Sequence, residues 1–241
     1  MSDRAARAKV RSADPAFEPA RSGGYIPPQS SDIFAAAARS HPDAPAIQTT
    51  AMDDVDKARM EEYALLAALL RQPPDGVLLK ALTGIRGDST PLGTAHAALA
   101  GAAEETDPER LEREFFDLFL GVGRGELLPY GSYYLTGFLN ERPLARLRED
   151  LRMLGVSRTE DQVEPEDHAA ILCEIMAGLA GGSLAAAPNV QKRFFEKHLA
   201  PWIGRFFTDL EQVKGSDFYR RVGTVGRLFV EIETEAFALP S

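Results

Sequence analysis

The chain has 241 residues, of which 44% are hydrophobic and 26% charged, a balance that excludes wholesale disorder and leaves room for one sizeable core. Its formal charge of −9 argues against non-specific nucleic-acid binding, which needs a basic surface, and makes a basic peptide the more natural partner. No apolar run is long enough to cross a bilayer, and the first residues carry no secretory-type apolar block, so the expected location is cytoplasmic. One cysteine, Cys173, can form neither an internal disulfide nor, alone, a zinc site.

Residues 1–51 hold six prolines, several serines and few large apolar side chains, with six basic residues nearly balanced by five acidic ones. Such a stretch buries too little apolar surface to offset chain entropy. The expectation is a loosely ordered tail over 1–51, with a short helical turn at Ile33–Arg39, and a helical domain over 52–241. Basic residues at Arg4, Arg7, Lys9 and Arg11 resemble a basic peptide but lack a following apolar block, which favours a linker.

From Met52 onward the pattern is helical. Asp54–Arg71 is rich in Ala, Leu, Met and Glu and stops before Pro73-Pro74. Gly76–Thr83 and Pro91–Gly101 fit short helices. Asp107-Pro108 supplies an N-cap and a first-turn proline, followed by the stripe Leu111, Phe115, Leu118, Phe119, which Gly121–Gly125 stops. Pro143 opens a helix with Leu144, Leu147, Leu151 and Leu154 on one side and Gly155 as its stop. Pro165 is expected to open the next, with the stripe His168, Leu172, Ile175, Met176, Leu179. Asn189–Val213 carries a run of aromatic residues interrupted by Pro201. Ser216 caps a last helix with the stripe Phe218, Val222, Val225, Phe229, Ile232. No alternating strand or repeat is seen, so the predicted fold is an all-α helical globule of about eight helices with no significant sheet. Three Phe-Phe pairs (115/116, 194/195, 206/207) point to wide buried faces.

Enzymatic motifs are missing. No Walker A loop, H-E-x-x-H or G-x-S-x-G is present, and Gly121-Val-Gly-Arg-Gly125 follows a helix and lacks the last glycine of a dinucleotide fingerprint. His168 and Cys173 lie about 140° apart around a helix and make a poor ligand pair.

Two segments stand out. Leu127-Leu-Pro-Tyr-Gly-Ser-Tyr-Tyr-Leu135 joins two helices, yet holds three tyrosines and three leucines. It fits either a buried crossover or the wall of a groove. Glu164-Pro-Glu-Asp-His168 places carboxylates at a helix start, where the helix dipole favours them, and sets a histidine on an apolar stripe. That histidine fits a hydrogen-bonded core residue as well as a ligand-facing one.

These segments carry a resemblance. The sequence resembles the TorD/DmsD/NarJ family of redox-enzyme maturation chaperones through Asp117-Leu-Phe-Leu-Gly121, Pro129-Tyr-Gly-Ser-Tyr133, Glu164-Pro-Glu-Asp-His168 and His198-Leu-Ala-Pro-Trp202. Val122 departs from the pattern, since many members have proline there. The resemblance implies a TorD-like helical chaperone with no catalytic residues, no metal and no obligatory cofactor. It implies binding of a molybdenum-cofactor oxidoreductase precursor, often through its twin-arginine signal peptide, and holding it for cofactor insertion before export. The partner is then the catalytic-subunit precursor of a molybdoenzyme, and the run around Pro129 is most like members serving formate dehydrogenases. Weak guanine-nucleotide binding occurs in some members, as do domain-swapped dimers beside monomers. By the resemblance, Pro129, Tyr130, Ser132 and Tyr133, with Glu164, Asp167 and His168, line the peptide site. Apolarity adds Leu128 to the groove. The alternative is an assembly factor that holds a mature redox subunit without reading a signal peptide.

Overall fold

The computed structural model describes residues 53–158, 163–184 and 189–239. The tail expected over 1–51 and the turn at Ile33–Arg39 lie outside the described residues.

The helices begin where side chains can satisfy the free amides of a first turn. Asp53, Asp75, Thr90 and Asp107 each accept a backbone N–H at the starts of α1 (Asp54–Arg71), α2 (Gly76–Leu82), α3 (Pro91–Glu104) and α4 (Pro108–Phe115). Past α4 the chain continues as a π-helical turn over Phe116–Leu120, closed by Gly121 N–H donating to Phe116 O. The remaining helices are α5 (Gly131–Thr136), α6 (Arg142–Met153), α7 (Ala169–Ala180), α8 (Val190–Phe194), α9 (Ile203–Glu211) and α10 (Asp217–Ala238). A second π-helical turn, Phe195–Leu199, follows α8. Helix α6 ends as expected: Gly155, at φ +70°, donates to Arg152 O while Val156 donates to Leu151 O, the paired bonds of a Schellman stop.

Helix α1 packs along α7, and α10 packs along α9 and α3, with α1 also touching α10. The core between them holds Tyr63, Leu66, Leu70, Trp202, Phe206, Phe207 and Tyr219, all essentially inaccessible to water. At the α1–α10 contact the buried Glu233 carboxylate accepts two bonds from Arg59 (2.7 and 2.8 Å) and one from the Tyr63 hydroxyl (2.8 Å). A buried charge persists only when paired and hydrogen-bonded in this way.

The all-α expectation holds: among the described residues β pairing is limited to an isolated bridge between Tyr130 and His168. Four details differ. Among the described residues the α-helices number ten rather than about eight, because α5 forms inside the stretch read as a connector and Ala200–Trp202 divides the long aromatic segment into α8 and α9. Pro165 does not open a helix; Pro165–His168 is a turn, and α7 starts at Ala169 with His168 as its N-cap. Phe116 is exposed although its neighbour Phe115 is buried, since adjacent helical residues point about 100° apart. Ile232 is also exposed, and Glu233 takes the inward position.

Candidate functional site

The two unusual segments meet. Gly131 N–H donates to Asp167 O (2.9 Å) and Ala169 N–H donates to Pro129 O (2.8 Å), which ties the start of α5 to the start of α7. Asp167 also accepts Ser132 N–H on Oδ2 at 2.7 Å. Its carboxylate therefore caps α5 from 35 residues away in sequence, where Tyr130 provides no side-chain cap. Asp167 and Ser132 are both buried, and Asp167 Oδ1 and Ser132 Oγ have no hydrogen-bond partner. Asp167 thus faces inward, although the resemblance has it line the peptide site.

His168 is 7% exposed, and its Nδ1 accepts Ala170 N–H at 3.1 Å. Burial, with a smaller contribution from the Arg71 charge, lowers its pKa to about 3, so the ring is neutral at physiological pH. The Tyr130 ring stands edge-on to it, with centroids 5.1 Å apart. Tyr130 is half-buried and donates its hydroxyl to Glu164 Oε2 at 2.5 Å. Burial and that carboxylate both push the phenol pKa upward, so it remains a donor.

The neighbouring tyrosines are fixed as well. Arg124 donates to the Tyr133 hydroxyl (2.9 Å) and stacks its guanidinium over the same ring at 5.4 Å. Tyr134 donates to Asp209 (2.9 Å) and lies 5.5 Å from Trp202. Trp202 in turn donates to His198 O at 2.7 Å, and the His198 ring bonds Asp150 Oδ2 at 2.6 Å. Gly131 sits directly on the indole: a Cβ there would lie 3.0 Å from Trp202 Nε1. The fourth motif of the sequence therefore forms the floor beneath the second. Leu128 is half-buried and Pro129 buried beside them, while Leu135, Phe138 and Leu139 extend the apolar face into solvent at 43%, 70% and 44% exposure.

Sequence reasoning missed a cavity of about 260 Å³ on the other side of the 164–168 turn. Glu166 lines it, whereas Tyr130 and His168 do not. Glu166 is held by Arg148 at 2.8–2.9 Å. Arg148 and Arg152 stand one turn apart on α6 and Arg158 follows it, but the apolar wall from α7 that faces them joins only on folding. Among the described residues no cluster of three or more His, Cys, Asp or Glu is placed to hold a metal, and no helix is long and apolar enough to cross a membrane.

Three of the four marked segments, at 129–133, 164–168 and 198–202, meet within one all-helical scaffold. The family model for the nitrate reductase delta subunit matches residues 86–208, half of the chain, and the chain belongs to this family, in agreement with its TorD/DmsD/NarJ resemblance. The chaperone protein TorD of Vibrio cholerae serotype O1 is 32% identical over 130 residues, covering 50% of this chain and 59% of that protein. The chain thus spans about three fifths of that relative's length. TorD of Vibrio atlanticus is 28% identical over 172 residues, covering 65% of this chain and 80% of that protein. A solved structure of a redox enzyme maturation protein candidate from Archaeoglobus fulgidus aligns over 73% of this chain and 94% of its own, at 21% identity and a TM-score of 0.46.

Proposed function

We propose that this chain is a chaperone that binds the precursor of a molybdenum-cofactor oxidoreductase through its twin-arginine signal peptide and holds it in the cytoplasm until cofactor insertion is complete. Family membership and relatives that are chaperone proteins support the role. The observation that carries the site is the half-buried Tyr130, held between His168 and Glu164 at the start of α5, a helix followed by the exposed Phe138 and Leu139.

The peptide has two arginines followed by an apolar segment. Leu128, Pro129, Tyr130 and Tyr133 form the apolar wall, and Glu164 is the carboxylate at its rim. Ser132, Asp167 and His168 hold the wall in place from beneath. Burying one Leu or Phe of the peptide contributes about 1.5–3 kcal/mol, against about 0–1 kcal/mol for an exposed arginine–carboxylate pair. Affinity then comes chiefly from apolar contact, and charge sets the preference for arginine and the on-rate. Ordering a flexible peptide costs about 2–5 kcal/mol, which leaves a net of about −8 kcal/mol, or micromolar binding, and permits release without an energy source. No bond is made or broken, so no residue has a catalytic role. The client in this reading is a formate dehydrogenase precursor.

Calorimetric titration with a twin-arginine peptide tests the reading. Tyr130→Ala is expected to weaken binding about tenfold or more, since it removes one buried aromatic contact. Asp167→Asn should weaken it less, because its side chain keeps an acceptor for Ser132 N–H. Equal or reversed losses would refute the ranking, and no binding by the unaltered chain would refute the reading.

A further inference from the structure

We infer that the cavity behind the 164–168 turn is a second docking site, for a peptide segment that presents an apolar side chain flanked by acidic residues. Leu151 and Val156 at the end of α6, with Ile171 and Ile175 of α7, give it apolar walls. Its volume of about 260 Å³ is below the roughly 300–1,000 Å³ common for pockets that enclose small-molecule ligands, and it suits a single side chain entering from outside.

The rim decides what accompanies that side chain. Arg148, Arg152 and Arg158 line the cavity together with Glu166 and Glu174. Both carboxylates are already engaged: Glu166 with Arg148 at 2.8–2.9 Å, and Glu174 with Arg71 at 2.9 and 3.0 Å. Arg152 is exposed and has no ion-pair partner among the described residues. Arg158 donates to Val163 O at 3.0 Å, and among the described lining residues three arginines stand against two carboxylates, a local positive excess on a chain whose formal charge is −9. A twin-arginine segment is repelled here, and an acidic one is drawn in. Glu164 bonds Tyr130 while Glu166, two residues on, lines this cavity, so one short turn separates a face suited to basic peptide from a pocket suited to acidic peptide. This site does not depend on the twin-arginine reading, and its probe contains no arginine, so the two experiments fail separately.

The probe is a fluorescein-labelled peptide with a Leu-Phe pair flanked on each side by two acidic residues, titrated by anisotropy against the full chain. The control replaces the acids with lysine. The acidic peptide is expected to bind and the lysine peptide to bind at least about tenfold more weakly, as charge reversal at a rim predicts. Arg152→Glu should weaken the acidic peptide by a similar factor. Ser157→Trp, a change at an exposed residue of the lining, should fill the mouth and abolish binding while leaving the thermal melt in place. The inference is overturned if the acidic peptide fails to bind at millimolar concentration or if neither variant changes its affinity. It is also overturned if inorganic phosphate displaces it at equal concentration, which would mark a small-anion site.

Discussion

Residue by residue, the junction between α5 and α7 is held by groups whose protonation is set by burial. His168, at a pKa of about 3, stays neutral in the fold, while in the unfolded chain it takes up a proton near 6.5. Its folded value is depressed, so its contribution to stability is present above pH 6.5 and is lost as pH falls toward 3. His198 is depressed in the same direction, by burial that outweighs its bond to Asp150. His96 is raised, mainly by its hydrogen bond to Glu62, so its contribution is present below pH 6.5 and lost as pH rises above it. Between pH 6.5 and 4.5, above the main titration of the carboxylates, the acid loss therefore belongs to His168 and His198. His168→Asn keeps an N-cap acceptor for Ala170 N–H and removes the titration. Urea melts at the two pH values should show the variant's slope reduced by up to about 1.4 kcal/mol per pH unit, the effect of one proton. An unchanged slope would mean that His168 is solvated.

At the scale of elements, position depends on close backbone approach as much as on apolar stripes. Helix α10 lies against α9 with Phe207 on the Gly226 backbone, where an added Cβ would sit 2.3 Å from the ring. Phe207 is fully buried and has no free direction in which to move. Gly226→Ala should therefore cost about 1–3 kcal/mol in chemical denaturation through overpacking, with peptide affinity unaffected. A gain in stability, from the usual helix preference for alanine, would show that the two helices can separate. The two π-helical turns, at Phe116–Leu120 and Phe195–Leu199, each add a residue to a helical turn just before the helix ends. No sequence period announces them.

For the whole molecule, charge and contact area act on different steps of binding. On the proposed reading, the net charge of −9 attracts a basic leader over distance and the apolar wall retains it. Raising salt from about 0.1 M to about 1 M shortens the screening length from about 10 Å to about 3 Å. Twin-arginine peptide affinity should then fall by less than about tenfold, most of it in the association rate. Complete loss at moderate salt would place the binding energy in the arginines instead.

The sequence alone determined the helical class, most helix starts and the identity of the marked segments. N-caps, prolines and stripes act over one or two turns, and local chemistry suffices to read them. It could not show that Asp167 caps Ser132, that Trp202 lies under Gly131, or that α7 begins at Ala169 rather than Pro165. Those outcomes rest on hydrogen bonds and packing between residues tens of positions apart. The arginine-rimmed cavity is likewise a product of the tertiary fold: Arg148, Arg152 and Arg158 are neighbours in sequence, but only folding sets Glu166, Ile171 and Ile175 opposite them around one hollow.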